Sequence, residues 1–250
     1  MSRALSGSRY ITPTILQVVT GEMEALQASV SQDPETICQQ DQFGWSPVEH
    51  AVACGNLAAL EMFLRVWNRQ LGGEAGVARD ERNIRYQNLA IEYNRPDVLR
   101  WLGRNGFLDS PCAVNRAVAH GSVACLRLLL AEGHEASEED AWGEVPLFLA
   151  VKKRRVDMVK CLLDHQPELA RHRDVMGRTA AHQCDSVALL EVLDRYGTDL
   201  WQTDNLGQTP FDLALRRRNA SLLEYLLISS KKNPPFNELE QCYQSSWSVA

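Results

Sequence analysis

Apolar residues recur along this chain in short helical stripes and not in the strict alternation of strands. Leu60 and Leu64, Val159 and Leu163, and Leu223 and Leu227 each stand four apart, which places both members on one helix face. Ahead of these stripes comes a recurring order of smaller signals. An Asp three residues before a Gly (Asp41/Gly44, Asp140/Gly143, Asp174/Gly177, Asp204/Gly207) suits a tight turn, because Asp bonds nearby amides and Gly accepts positive φ. Ser46-Pro47 and Thr209-Pro210 then read as a hydroxyl N-cap followed by proline at the first helical position. Ala51, Ala150 and Ala214 lie four residues after Pro47, Pro146 and Pro210, and a small residue there lets two helices approach closely. Gly55 closes the first helix of its unit.

The segments 41–64, 140–163 and 204–227 align without a gap, and Gly44 and Gly143 are 99 residues apart, three times 33. That period and pattern resemble the ankyrin-repeat family. With the register fixed, weaker copies follow. Thr12-Pro13, Gly21 and Leu26 mark a first repeat, and Asp80, Asn83, Ala90, Leu99 and Gly106 a third, with Asn83 standing where a turn glycine is expected. Ala117, Gly121, Leu126, Leu130 and Gly133 mark a fourth, and Asp174, Gly177, Thr179, Leu190 and Gly197 a sixth. The resemblance therefore implies an all-α repeat solenoid, a stack of seven helix-turn-helix units with short β-hairpin loops. It covers residues 11–228, between an N-terminal segment 1–10 and a polar tail 229–250.

Three irregularities interrupt the period. Ala51 to Ala90 is 39 residues and Ala90 to Ala117 is 27, so an extra loop is expected over 68–79 and a missing hairpin over 106–111. The sixth repeat is about three residues short around 182–186, near Cys184. In the tail, Phe236, Leu239, Tyr243 and Trp247 could cover the apolar flank of a last repeat.

Composition narrows the function. The chain has 26 Lys+Arg against 32 Asp+Glu, a net charge of −6, which disfavours direct nucleic-acid binding. No run approaches the ~20 apolar residues of a membrane helix, and MSRALSGSRYITPTILQ lacks the apolar run of a signal peptide. Seven cysteines without a C-x-x-C pair read as small hydrophobes in a reducing compartment, so a cytoplasmic or nuclear setting is expected. No phosphate-binding glycine loop, G-x-S-x-G or H-E-x-x-H motif is present. Cys161 and His165 share a helix face at metal-ligand spacing, but Cys161 occupies a packing position filled by Met62, Trp101, Leu128 and Tyr225 in other repeats. His182 matches the histidine with which the family ties turn to helix. The expectation is no catalytic residue, no cofactor and no metal.

Protein binding is the better reading. In the family, partner contacts come from the hairpin tips and the ends of the first helices. On this chain those positions are Phe43, Trp45, Trp142, Glu144, Lys152, Lys153, Leu206, Gln208, Arg216 and Arg217. Aromatic and Arg side chains dominate binding energy, although Phe43, Trp45 and Trp142 could equally pack against neighbouring hairpins. Residues 150–218 carry twelve basic against ten acidic side chains, whereas the preceding part carries twelve against nineteen. Lys152-Lys153-Arg154-Arg155 and Arg216-Arg217-Arg218 fall at equivalent helix ends two repeats apart. They form either a basic patch for an acidic or phosphorylated protein segment, or solvated helix ends. The expected role is an adaptor, scaffold or inhibitor. The alternatives are a nuclear co-regulator acting through a DNA-bound protein and a microbial effector acting on host proteins.

Overall fold

The structure, a computed structural model, describes residues 12–70, 79–106, 112–140 and 142–230. These fall into two compact units, Met1–His134 and Glu135–Ala250. The first contains α1 (Pro13–Thr20), α2 (Met23–Gln32), α3 (Pro47–Cys54), α4 (Leu57–Gln70), α5 (Arg79–Glu92), α6 (Pro96–Arg104), α7 (Ala113–His120) and α8 (Val123–Ala131). The second contains α9 (Pro146–Lys152), α10 (Val156–His165), α11 (Ala180–Gln183), α12 (Val187–Arg195), α13 (Pro210–Arg216) and α14 (Ala220–Ser230). Short 3-10 turns, Pro34–Cys38 and Pro167–Arg171, follow α2 and α10. Odd-numbered helices are the inner members of seven pairs among the described residues, and even-numbered helices are the outer members.

The pairs led by α1, α3 and α13 begin as their capping residues dictate. Ser46 Oγ accepts from the Glu49 amide at 3.4 Å while the Glu49 carboxylate accepts from the Ser46 amide at 2.6 Å, a reciprocal cap with Pro47 at the first helical position. Thr209 and Asp212 repeat the arrangement on α13. Thr12 caps α1 by accepting from the Ile15 amide. Inner helices approach over alanine: Ala51, Ala90, Ala117 and Ala150 are fully buried. Contacts run from α1 to α3, α3 to α5 and α5 to α7 in one unit, and from α9 to α11 and α11 to α13 in the other.

Outer helices supply the bulk of the core. Leu99, Leu126, Val159, Leu163, Leu189 and Leu223 are sealed from solvent, each burial stabilising by about 1.5–3 kcal/mol before entropy is counted. In α4 and α14 the stripe closes one residue early: Phe63 and Leu226 are buried, whereas Leu64 and Leu227 are half-buried. Spacings of three and four both return to one helix face, so the sequence pattern alone does not separate them.

Two expectations are corrected. Asp80 and Asn83 are not a turn; both lie within α5, and Asn83 is buried with helical backbone. A 14-residue inner helix takes the place of the third hairpin. The segment 68–79 is likewise not wholly loop, since α4 continues to Gln70 and α5 begins at Arg79. The missing hairpin near 106–111 and the tail residues Phe236, Leu239, Tyr243 and Trp247 lie outside the described residues. In the sixth repeat α11 has only four residues against seven in α9 and α13, and Cys184 turns out of it in extended conformation.

Candidate functional site

The loops ahead of α3, α9, α11 and α13 are narrow fingers built by one device. In each, an aspartate Oδ1 accepts from the amides two and four residues later. Asp41 holds Phe43 and Trp45, Asp140 holds Trp142 and Glu144, Asp174 holds Met176 and Arg178, and Asp204 holds Leu206 and Gln208, all at 2.8–2.9 Å. The aspartate amide closes the base by donating to the carbonyl four residues on, as from Asp204 to Gln208 at 2.9 Å. No strand forms among the described residues; each hairpin is a capped turn closed by this bond and by the finger glycine amide donating to the aspartate carbonyl.

Because the carboxylate is consumed from within, the residue before each finger glycine is pushed to the tip. That position holds Phe43, Trp142, Met176 and Leu206, exposed by 75%, 68%, 43% and 71%. Phe43, Trp142 and Leu206 are among the residues named from the sequence, and here they are exposed. Met176, and its exposed neighbour Val175, were missed, although Met176 precedes Gly177 as Trp142 precedes Gly143.

In the second unit the fingers are fastened side by side. The Val175 amide donates to the Trp142 carbonyl at 3.1 Å, and the Asn205 amide donates to the Met176 carbonyl at 2.9 Å. The Asn205 carboxamide adds a bond to the Val175 carbonyl at 3.1 Å. Arg173 donates to Gly177 and Thr203 carbonyls, and His172 Nε2 lies 2.9 Å from the Gly143 carbonyl. Behind this row, buried His182 accepts the Thr179 amide at Nδ1 (3.0 Å) and donates from Nε2 to the Gln208 carbonyl (3.1 Å). The amide can only donate, so the Nε2–H tautomer is fixed. Burial holds the imidazole pKa below its ordinary value and keeps it neutral. Gln208 therefore sits half-buried, its backbone spent on the finger and on His182.

The remaining expected contacts divide. Trp45 is half-buried, its ring 5.3 Å from His50 and edge-on to Tyr93 at 6.1 Å. Glu144 is only 8% exposed: its carboxylate receives Lys152 and the Gln183 carboxamide (2.8 Å), with Arg178 at 3.7 Å. Buried and saturated, it ties a finger to two helices. Lys152 is exposed but committed to Glu144. Arg217 donates to the Cys184 carbonyl at 3.2 Å, and Arg154 forms an ion pair with Asp185, which raises the guanidinium pKa through that hydrogen bond. Both basic runs thus meet the loop left by the shortened α11. Among the described residues Lys153, Arg216 and Arg218 are exposed and have no ion-pair partner. Buried Cys184 is not reactive, for burial pushes its thiol up to about 11. No group of three or more metal-ligating side chains occurs among the described residues.

A model of ankyrin repeats in three copies matches residues 114–204. This chain carries ankyrin repeats. It is 23% identical to the ankyrin repeat domain of Bcl-3, described as a unique member of the IkappaB protein family, with a TM-score of 0.62 over 85% of this chain and 98% of that one. Among curated proteins, it is 29% identical to human ankyrin repeat and SOCS box protein 11, over 53% of this chain and 40% of that protein. It is also 29% identical to an L-asparaginase of Dirofilaria immitis, over 52% of this chain and 21% of that enzyme. A putative ankyrin repeat protein of fowlpox virus is 25% identical over 46% of this chain and 82% of its own length. The first relatives are thus matched over less than half their length. Ankyrin repeats are protein-interaction modules and typically non-catalytic. No described helix of this ankyrin-repeat protein is long and apolar enough to cross a membrane.

Proposed function

We propose that this ankyrin-repeat protein is a noncatalytic adaptor, scaffold or inhibitor, acting in the cytoplasm or nucleus on a protein partner without cofactor or direct nucleic-acid contact. The observation that carries this reading is the second unit's row of apolar finger tips, fastened through their own backbones. An exposed apolar row needs cover, and a rigid row loses little entropy when covered. Trp142 and Leu206 are the contacts at the tips, with Phe43 the equivalent in the first unit. Lys153 and Arg216 are the cations free to receive an acidic or phosphorylated segment. Trp45, Glu144, Lys152, Gln208 and Arg217 support the surface from within their own packing and hydrogen bonds.

Affinity capture from cell lysate tests the reading. Wild type is compared with Trp142→Ser, Leu206→Ser and a Lys153→Glu/Arg216→Glu pair, each checked for unchanged helical content. The expected outcome is a stoichiometric protein partner lost from the tip variants and weakened by charge reversal. Retention by all variants would move the site elsewhere.

A further inference from the structure

The finger reading leaves open what shape of chain the second unit accepts. Trp142, Met176 and Leu206 hold one structural position in three consecutive fingers. The bonds that join the fingers are also equivalent: each runs from the second finger residue of one repeat to the tip carbonyl of the repeat before. The tips are therefore related by the repeat-to-repeat step. That step follows from α9, α11 and α13 packing in order, and packed helices lie about 8–10 Å apart.

Few backbone forms return a side chain to one face at that interval. A β-strand does so every second residue, about 6.8 Å, or every fourth, about 13.5 Å. An α-helix returns after seven residues, about 10.5 Å, and at that diameter also fills the space between tips. A polyproline II helix returns every third residue at about 9.3 Å, within the packing range. It also exposes all its backbone groups, whereas these fingers have already spent theirs chiefly on their own turns and in part on one another.

Charge sets the rest. Asp140, Asp174 and Asp204 turn their carboxylates inward to cap finger amides, so the row itself carries no free finger carboxylate. The cations without partners at the inner-helix ends are Lys153, Arg216 and Arg218. Resting on the finger reading, we propose that the second unit binds an acidic segment in polyproline II conformation, its apolar side chains at every third residue seated on Trp142, Met176 and Leu206.

Synthetic peptides of one composition (leucine, proline and glutamate) test this by fluorescence anisotropy against the full chain. Leucines are placed at every third, every second or every fourth position. A further set replaces glutamate with lysine, and a helical peptide carries leucines at heptad spacing. The period-three acidic peptide should bind at least about tenfold tighter than any other, with Met176→Ser weakening it about tenfold. Met176 is exposed, so that variant should keep its fold, which circular dichroism verifies. Equal affinity at all spacings, preference for the heptad or lysine peptides, or no binding at all would overturn the proposal. If spacing proves irrelevant while Trp142→Ser and Leu206→Ser still release the captured partner, the finger reading stands and only this occupant fails.

Discussion

The His182 imidazole spans two repeats, accepting the Thr179 amide at Nδ1 and donating from Nε2 to the Gln208 carbonyl at 3.1 Å. One buried ring thus starts α11 and pins the finger ahead of α13. Replacing it by alanine leaves the buried Thr179 amide unpaired and the Gln208 carbonyl with only the Asp204 amide, at about 1–3 kcal/mol. Thermal unfolding of His182→Ala should show this loss, with hydrogen exchange rising first over residues 174–216.

The same ring makes stability depend on pH. Burial lowers its folded pKa, so below about 6.5 the unfolded chain binds the extra proton. Its contribution is complete above that pH and is lost as pH falls through the unfolded and then the folded pKa. Wild type should lose denaturant stability on acidification beyond any loss in His182→Ala; parallel pH profiles for the two would refute this.

Finger aspartates act as turn scaffolds. Asp204 is buried and receives two amides, each a charge-assisted bond. Asp204→Ala should destabilise by about 2–3 kcal/mol, while Asp204→Asn, which retains an acceptor, should cost less. Denaturant titration of the pair measures the difference.

Two finger glycines separate backbone strain from crowding. Gly177 and Gly207 have φ of 73° and 74°, so alanine at either pays a left-handed cost of about 1–2 kcal/mol. At Gly207 a methyl meets nothing within 4 Å, whereas at Gly177 it falls on the Asn205 carboxamide and the Arg173 guanidinium. Gly177→Ala should therefore be the more damaging, and it should also loosen the finger row; a larger fall in melting temperature than for Gly207→Ala checks this.

Thiol reactivity should follow burial. Burial pushes Cys125 and Cys184 up to about 11, and both are shielded, whereas Cys38, Cys54 and Cys112 are exposed. Native-state alkylation at pH 8 followed by mass spectrometry should modify the exposed set first and leave Cys125 and Cys184 unmodified until unfolding.

The fold was largely legible because its signals are local. Asp-x-x-Gly and hydroxyl-Pro each act through residues within one turn, and the inner-helix alanine, which packs between repeats, returns in step with them, so a 33-residue period exposes all three. The third repeat misled for the same reason: Asp80 and Asn83 imitate a finger locally, while a continuous 14-residue helix forms instead. At the site, the place of Phe43, Trp142 and Leu206 in the fingers followed from the register, but exposure of the aromatic pair did not, since packing against neighbouring hairpins was equally open. The inward roles of Glu144, Lys152 and Arg217 did not, because their partners lie 8 to 39 residues away in sequence. Met176 was readable from its place before Gly177, but methionine at a tip draws less notice than tryptophan.

The proposed partner surface is the row of finger tips in the second unit. The most direct measurement is the affinity of the captured partner for wild type and for Trp142→Ser/Leu206→Ser, by calorimetry on proteins of matched thermal stability. The account predicts at least about a hundredfold loss, the scale expected when two apolar anchors are removed. Unchanged affinity, with both proteins folded, would contradict it.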